Sequence, residues 1–298
     1  MDNRNEIREF LTTRRARITP KQAGLPDFGG NRRVPGLRRG EVASLAGVSP
    51  EYYTRLEQGK LSGVSESILH ALATALQLDE AERAHLFDLA RAAGSTARPR
   101  RRPKQQIPRS LQYALDGITA APAFVRNGRL DILAINSLGR ALYSEMYRDS
   151  GRPVNHARFV FLDKRAVDLY PDWNQAANDT VAILRAESGR DPYNKDLSDL
   201  VGELSTRSEE FRTLWAAHNV YRHTTGFKRF HHPVVGDIEL MFNAMDLTAD
   251  PGLSLLIYSA EPGTTSGDAL HLLGSWAATL EQAPSPSTST TQGSAIQP

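Results

Sequence analysis

Leu37-Arg38-Arg39-Gly40-Glu41-Val42-Ala43-Ser44-Leu45-Ala46-Gly47-Val48-Ser49-Pro50-Glu51-Tyr52-Tyr53-Thr54-Arg55-Leu56-Glu57-Gln58-Gly59 predicts a helix, a tight turn and a second helix. Val42, Leu45 and Ala46 recur at helical spacing, and Ala43 is small enough for another helix to cross closely. Gly47 accepts the positive φ that ends a helix without the Cβ clash other residues suffer. Ser49 can cap the following helix, Pro50 has the φ of a first helical residue, and Glu51 is favoured by the positive end of the helix dipole. Tyr53 and Leu56 share the core-facing stripe with Val48, so Ser49, Glu51, Tyr52 and Arg55 project elsewhere.

A short helix displaying those groups fits the major groove of DNA. Arg55 suits the O6 and N7 of guanine, Glu51 the N4 amine of cytosine, and Tyr52 a thymine methyl or a phosphate. Arg39 opens the preceding helix, where its charge and the free backbone N–H groups can hold a phosphate; Arg38 and Lys60 are further backbone candidates. Arg14, Arg15, Arg17, Arg32 and Arg33 would add a positive rim. The alternative is a helical hairpin whose arginine and tyrosine side chains are merely solvated.

Charge supports the first reading. Residues 1–110 hold 20 Lys and Arg against 12 Asp and Glu, whereas the remaining 188 hold 16 against 22, so the net charge of +2 conceals a basic half and an acidic half. A basic half suggests a polyanionic partner, although imbalance also serves solubility. With 298 residues, 40% hydrophobic and 23% charged, the chain has room for two globular domains. The absence of cysteine excludes disulfides, thiolate metal sites and thiol catalysis. No apolar run is long enough for a membrane span and the N-terminus lacks a signal peptide, so a cytoplasmic, nucleoid-associated protein without a membrane partner is expected.

Outward from the motif, Ile7, Phe10 and Leu11, then Ile68, Leu69, Leu72 and Leu76, then Leu86, Phe87, Leu89 and Ala90 keep helical spacing, giving five helices and no strand before the basic run Arg98-Pro99-Arg100-Arg101-Arg102-Pro103-Lys104. That run reads as a linker. Beyond it the pattern becomes α+β. Ala123-Phe124-Val125-Arg126 and the run 130–135 flank Asn127-Gly128, a hairpin signal. Helices are expected near 137–147, 163–170, 173–188, 196–206 and 208–221, then strands at 227–235, 238–247 and 253–260. The expected domains are therefore 1–97, helix-turn-helix; 98–108, linker; 109–282, an α+β domain of antiparallel sheet and helices; and 283–298, a Ser/Thr/Pro-rich disordered tail.

The motif resembles the XRE-type helix-turn-helix regulators, which have a five-helix repressor fold. Pro35-Gly36-Leu37-Arg38-Arg39, Tyr52-Tyr53-Thr54-Arg55-Leu56-Glu57-Gln58-Gly59 and Ala81-Glu82-Arg83-Ala84-His85-Leu86 are similar to the MmyB-like subfamily. So are Phe161-Leu162-Asp163, Leu169-Tyr170-Pro171-Asp172-Trp173, Leu200-Val201-Gly202-Glu203-Leu204-Ser205, Phe211-Arg212-Thr213-Leu214-Trp215 and His232-Pro233-Val234-Val235-Gly236. The resemblance covers about residues 4–274. It implies a PAS-like C-terminal domain able to hold a fatty-acid-like molecule. By position it supports Ser49, Pro50, Glu51, Tyr52 and Arg55 at base edges or nearby phosphates, with Arg39 on the backbone. The chain departs at Ile135-Asn136, where the family usually has Trp-Asn.

In the second half, Phe161, Trp173, Leu184, Phe211, Leu214 and Trp215 could line a pocket for a small apolar ligand, with Arg126, His218 and Arg222 as polar anchors; plain core is the competing reading. No cofactor beyond such a fatty-acid-like ligand is expected. His218, His223, His231 and His232 lack a metal-binding spacing, and no nucleophile elbow, catalytic carboxylate pair or phosphate loop is present, so neither a metal site nor an enzyme is expected. The leading reading is a homodimer on double-stranded DNA, at an inverted repeat, whose second domain senses the ligand. The alternative is a DNA-tethered scaffold that recruits a protein and binds no small molecule.

Overall fold

The computed structural model describes residues 3–26, 32, 34–94, 107–148, 153–220 and 224–282. Most of the expected linker and all of the expected tail, along with Arg33, Arg222 and His223, lie outside the described residues.

Five helices build the first domain: α1 (Asn3–Arg17), α2 (Arg39–Leu45), α3 (Pro50–Glu57), α4 (Glu66–Ala75) and α5 (Glu80–Ala93). Their starts are set by side chains. The Ser49 hydroxyl accepts from the Tyr52 N–H at 3.1 Å, and Asp79 caps α5 while Glu82 reaches back to the Asp79 N–H, a reciprocal pair that satisfies two orphan donors. Gly47 ends the α2 segment at φ +66°, as its position requires. Ile7, Phe10, Leu11, Val42, Ala43, Tyr53, Leu56, Leu72, Leu86 and Leu89 close one core.

The second domain contains α6 (Arg109–Asp116), β1 (Ala123–Asn127), β2 (Ile132–Ile135), α7 (Ser137–Leu142), a 3-10 turn (Ser144–Tyr147), α8 (His156–Leu162), α9 (Arg165–Leu169), α10 (Trp173–Arg190), α11 (Lys195–Arg207), α12 (Glu209–Ala216), β3 (Thr225–His232), β4 (Gly236–Asp246), β5 (Leu253–Ser259) and α13 (Thr265–Gln282). The sheet runs β2-β1-β5-β4-β3, antiparallel throughout. β5 therefore zips together two hairpins that six helices separate in sequence. Alternation gives the sheet two faces. Leu115 of α6 covers Ala123, Val125, Ala134 and Leu253 on one. On the other, Phe124, Phe230, Ile238, Leu240, Phe242, Leu256 and Tyr258 pack against α7, α9 and α13.

Two features differ from the sequence expectation. α6, α8 and α13 are additional helices; α6 is only eight residues long and starts at Pro108 without a side-chain cap, and α13 carries Gly267 and Gly274, both poor helix formers. The Asn127-Gly128 turn is not a two-residue hairpin. Leu130 takes the left-handed φ of 66°, and Asn127 Oδ1 accepts from the Arg129 and Asp131 N–H groups at 3.0 Å each, making a longer loop. Gly128 packs against the Glu187 side chain, whose carboxylate would have to move for a Cβ there, 2.2 Å from its Cδ.

Asn136 fixes how this hairpin leads into α7. Its Oδ1 accepts from the Ala123 N–H at 2.9 Å and the Gly139 N–H at 2.8 Å, while its amide donates to the carbonyls of Ile118 at 2.6 Å and Ala121 at 2.8 Å. All four partners are backbone groups, so one buried amide ties together a loop, a strand and a helix. Asn136→Ala is expected to lower unfolding free energy by about 2–4 kcal/mol in urea titrations, because it orphans buried groups as well as a cap.

Candidate functional site

α3 lies with Tyr53, Leu56 and Glu57 buried and Ser49, Pro50, Glu51 and Arg55 exposed; Tyr52 is half-buried at the margin. The Arg55 guanidinium sits 5.4 Å from the centroid of the Tyr52 ring, so the two candidate base readers support each other through a cation–π contact. Arg38, Arg39 and Lys60 are exposed on the same motif.

Beneath α3 is a residue the sequence reading missed. Glu57 is only 2% exposed, and its carboxylate accepts from Arg15 at 2.7 Å, Arg39 Nε at 2.9 Å and the Thr12 hydroxyl at 2.9 Å. Burial alone would raise its pKa, but these donors outweigh burial and hold it below the ordinary carboxylate range. Arg39 remains 56% exposed, so Glu57 orients its stem while leaving guanidinium N–H groups for an outside anion. A buried glutamate leaves a clue in sequence only as a charged residue on the apolar stripe of a helix.

The expected positive rim is corrected by the same reasoning. Arg14 pairs with Glu82 at 2.7 Å and is almost wholly buried, Arg15 with Glu57, and Arg32 with Glu41 at 2.8 Å. These charges neutralise acids inside the fold.

The candidate ligand residues separate into three places. Leu184, Phe211, Phe161, Leu214 and Trp215 meet among α8, α10, α11 and α12, and Phe161 and Leu214 also touch the larger cluster under the sheet. Trp173 packs on that larger cluster, its indole N–H donating to the Val160 carbonyl at 2.9 Å. His218 is drawn away to the first domain, where its Nε2 lies 2.8 Å from Glu9. Arg222 lies outside the described residues.

Arg126 points from β1 onto the α7-covered face of the sheet, in one row with Ser254 and Asp246. Its guanidinium has no hydrogen-bond or ion-pair partner among the described residues, and burial depresses its pKa while Tyr258, Tyr143, Asp246 and Asp179 partly compensate. Lys228, which the sequence reading did not single out, faces the same side from β3. Burial pushes its pKa down to about 8, against the pull of Asp179 and with the push of Arg126. Its ammonium lies 4.7 Å from the centroid of the Tyr170 ring, in a cleft of about 290 Å³ also lined by Asp172, Gln175, Ala176, Asp179, Phe227, Arg229 and Glu239, so three carboxylates share the cleft with Lys228 and Arg229. Tyr143 and Tyr258 share a 2.6 Å hydrogen bond, and Tyr170 meets His156 at 2.9 Å, so the surrounding wall is aromatic with polar tips. Neither cation makes a hydrogen bond or ion pair among the described residues, and only the fields of Asp179 and, at Arg126, Asp246 offset the cost of burying them.

Among the described residues, no cluster of three or more His, Cys, Asp or Glu can hold a metal, and no helix is long and apolar enough to cross a membrane. The exposed face of α3 and the helix-bounded sheet together define a DNA-binding regulator of the helix-turn-helix class. Residues 6–86 match the Helix-turn-helix domain family, and residues 107–273 match the MmyB-like transcription regulator ligand binding domain. The chain belongs to the family of MmyB-like transcription regulators. Both matched families are regulatory. No curated protein matched the chain on comparison.

Glu57→Gln is expected to cost about 2–3 kcal/mol at neutral pH, because it removes the charge from hydrogen bonds made by two guanidinium groups. A depressed folded pKa gives stability that is present above the unfolded value and lost as pH falls through the folded one. The gap between wild type and variant, measured by denaturant melts, therefore narrows in acid.

Proposed function

We propose that this regulator reads a specific operator as a homodimer on an inverted repeat, and that a small amphipathic acid of fatty-acid type in the sheet domain modulates the binding. The observation that carries the ligand class is the presence on one sheet face of Arg126 and Lys228, two partly buried cations that make no hydrogen bond or ion pair among the described residues, beside an aromatic wall. A carboxylate head in the cleft would lie beside Lys228 and within electrostatic reach of Arg126, in competition with Asp179. Phe161 and Leu214, which touch both apolar clusters, mark the route for its tail toward Trp173, Leu184 and Phe211. The antiparallel order β2-β1-β5-β4-β3 supports a PAS-like reading of the domain.

Operator reading rests on α3. Ser49 uses one lone pair of its hydroxyl on the cap and keeps its O–H to donate, so Ser49, Pro50, Glu51, Tyr52 and Arg55 are the groups for base edges or nearby phosphates, with Arg38, Arg39 and Lys60 on phosphates. One such helix covers only a few base pairs, and two placed about 34 Å apart supply usable specificity, which is the argument for a dimer.

Selection of bound duplexes from a random pool, followed by mobility shift, tests the reader. Arg55→Ala should relax preference at one or two positions by about 1–3 kcal/mol, whereas Arg39→Ala should weaken every duplex similarly and flatten the salt dependence. Equal binding of all sequences by the wild type would refute a specific reader. For the sensor, dodecanoate should raise the melting temperature of the wild type and not of Arg126→Met. An identical shift in both proteins removes Arg126 from the site, and no shift across a chain-length series favours a ligand-free scaffold.

A further inference from the structure

The segment between α12 and β3 belongs to the second domain by sequence, yet the first domain holds it. Val220 is buried in the same cluster as Ile7, Phe10 and Leu37. Arg14 donates to the His218 carbonyl at 2.5 Å, and Arg17 donates to the Ala217 carbonyl at 3.2 Å and to Asn219 Oδ1 at 2.5 Å. His218 itself stands at φ 52°, a left-handed conformation that a non-glycine residue keeps only when its surroundings enforce it.

Arg185 of α10 completes the contact. Its side chain is fully buried, pairs with Glu6 of α1, donates to the Trp215 carbonyl, and lies 4.0 Å from the centroid of a Trp215 ring. Its Nη1 is also 2.8 Å from His218 Nδ1. His218 Nε2 lies 2.8 Å from Glu9 of α1, and its Nδ1 3.4 Å from Glu6. Glu6 collects the interface charges: burial would raise its pKa, but His218, His85 and Arg185 hold it well below the ordinary range.

One element of this contact, α10, also reaches the cleft. α10 carries Asp179 in the cleft and Arg185 at the interface, six residues or roughly 9 Å apart along one helix. β3 carries Lys228, eight residues after Val220. The reading face of α3 is on neither side of the contact, and its Glu51 and Arg55 stay exposed.

We propose that Arg185 and residues 217–220 form an intramolecular latch that docks the helix-turn-helix domain on the sensor domain, and that an anion entering beside Lys228 and Asp179 loosens it. The second clause rests on the ligand reading above; the first does not. With the latch closed, each reading helix has a fixed placement on its own sensor domain. With it open, that preorganisation is lost and DNA affinity falls.

The chain has no cysteine, so Ser67→Cys and Thr206→Cys place one spin label on each domain of the full-length protein. Electron–electron distance measurements should give one narrow distribution. His218→Gly, which relieves the left-handed backbone while deleting the imidazole, and Arg185→Met should each broaden it and weaken binding to a duplex selected from a random pool at least tenfold. Circular dichroism melts identify a variant that has simply unfolded, and His218→Gly keeps the test open if Arg185→Met does so. An unbroadened distribution or unchanged DNA affinity in folded His218→Gly overturns the latch. Added dodecanoate should broaden the wild-type distribution. If dodecanoate binds, by its thermal shift, without broadening, the coupling is overturned; if it does not bind, the ligand reading fails and the variants alone decide the latch.

Discussion

A carboxylate buried between two helices must be paired, and the pairing of Glu57 determines how the DNA-binding surface is presented. Its partners come from α1 through Arg15 and Thr12 and from α2 through Arg39, so one side chain on α3 fixes three helices relative to one another. Replacing such a cluster with apolar residues need not cost stability, since desolvating the ions offsets much of their attraction. What the cluster supplies is direction. Arg39 emerges from it with its stem held and its outer N–H groups free, at the start of a helix whose backbone donors face the same way.

The same logic makes α1 the central element of the molecule. One side of it meets Glu57, and the other meets Glu82, Arg185 and the 217–220 segment. Arg14, with its pKa lowered to about 10 by burial against the pull of Glu82, is an interior residue in every physical respect despite its composition. Arg14, Arg15 and Arg32 are thus spent on acids of the fold, whereas Arg38, Arg39, Arg55 and Lys60 of the motif stay exposed.

This explains what the sequence disclosed and what it withheld. The helix-turn-helix was legible because its signals are local: Gly47 for a backbone angle, Ser49 for a cap, Val48, Tyr53 and Leu56 for one face. The three C-terminal strands were legible from alternation, as Ile238, Leu240 and Phe242 against Glu239, Met241 and Asn243 illustrate. The partners of charged residues were not, because Arg14 with Glu82 or Arg185 with Glu6 are long-range choices that no spacing encodes. His218 carried the composition of a ligand anchor, and only the fold shows it beside Glu6 and Glu9 of α1, while Trp215 lies against Arg185 and Phe211. The turn after Asn127 misled for a related reason: Gly128 packs against the side chain of Glu187, on a helix some sixty residues away.

Lys228 was overlooked because a lysine on a strand next to exposed Phe227 and Arg229 reads as surface. Its cost makes it informative. Below about pH 8 the folded chain holds the ammonium against Tyr170 with only Asp179 to offset burial, whereas the unfolded chain solvates it freely. Arg126 adds a second cation to the same interior, and each raises the cost of the other. A fold selected for stability alone would place methionine or leucine at both positions, as it does across the rest of that face with Leu240, Phe242 and Leu256. Two cations held on a largely apolar face only by the fields of Asp179 and Asp246 are the cost on which the proposed ligand reading rests, and α10, which carries Asp179, borders the cleft that holds Lys228.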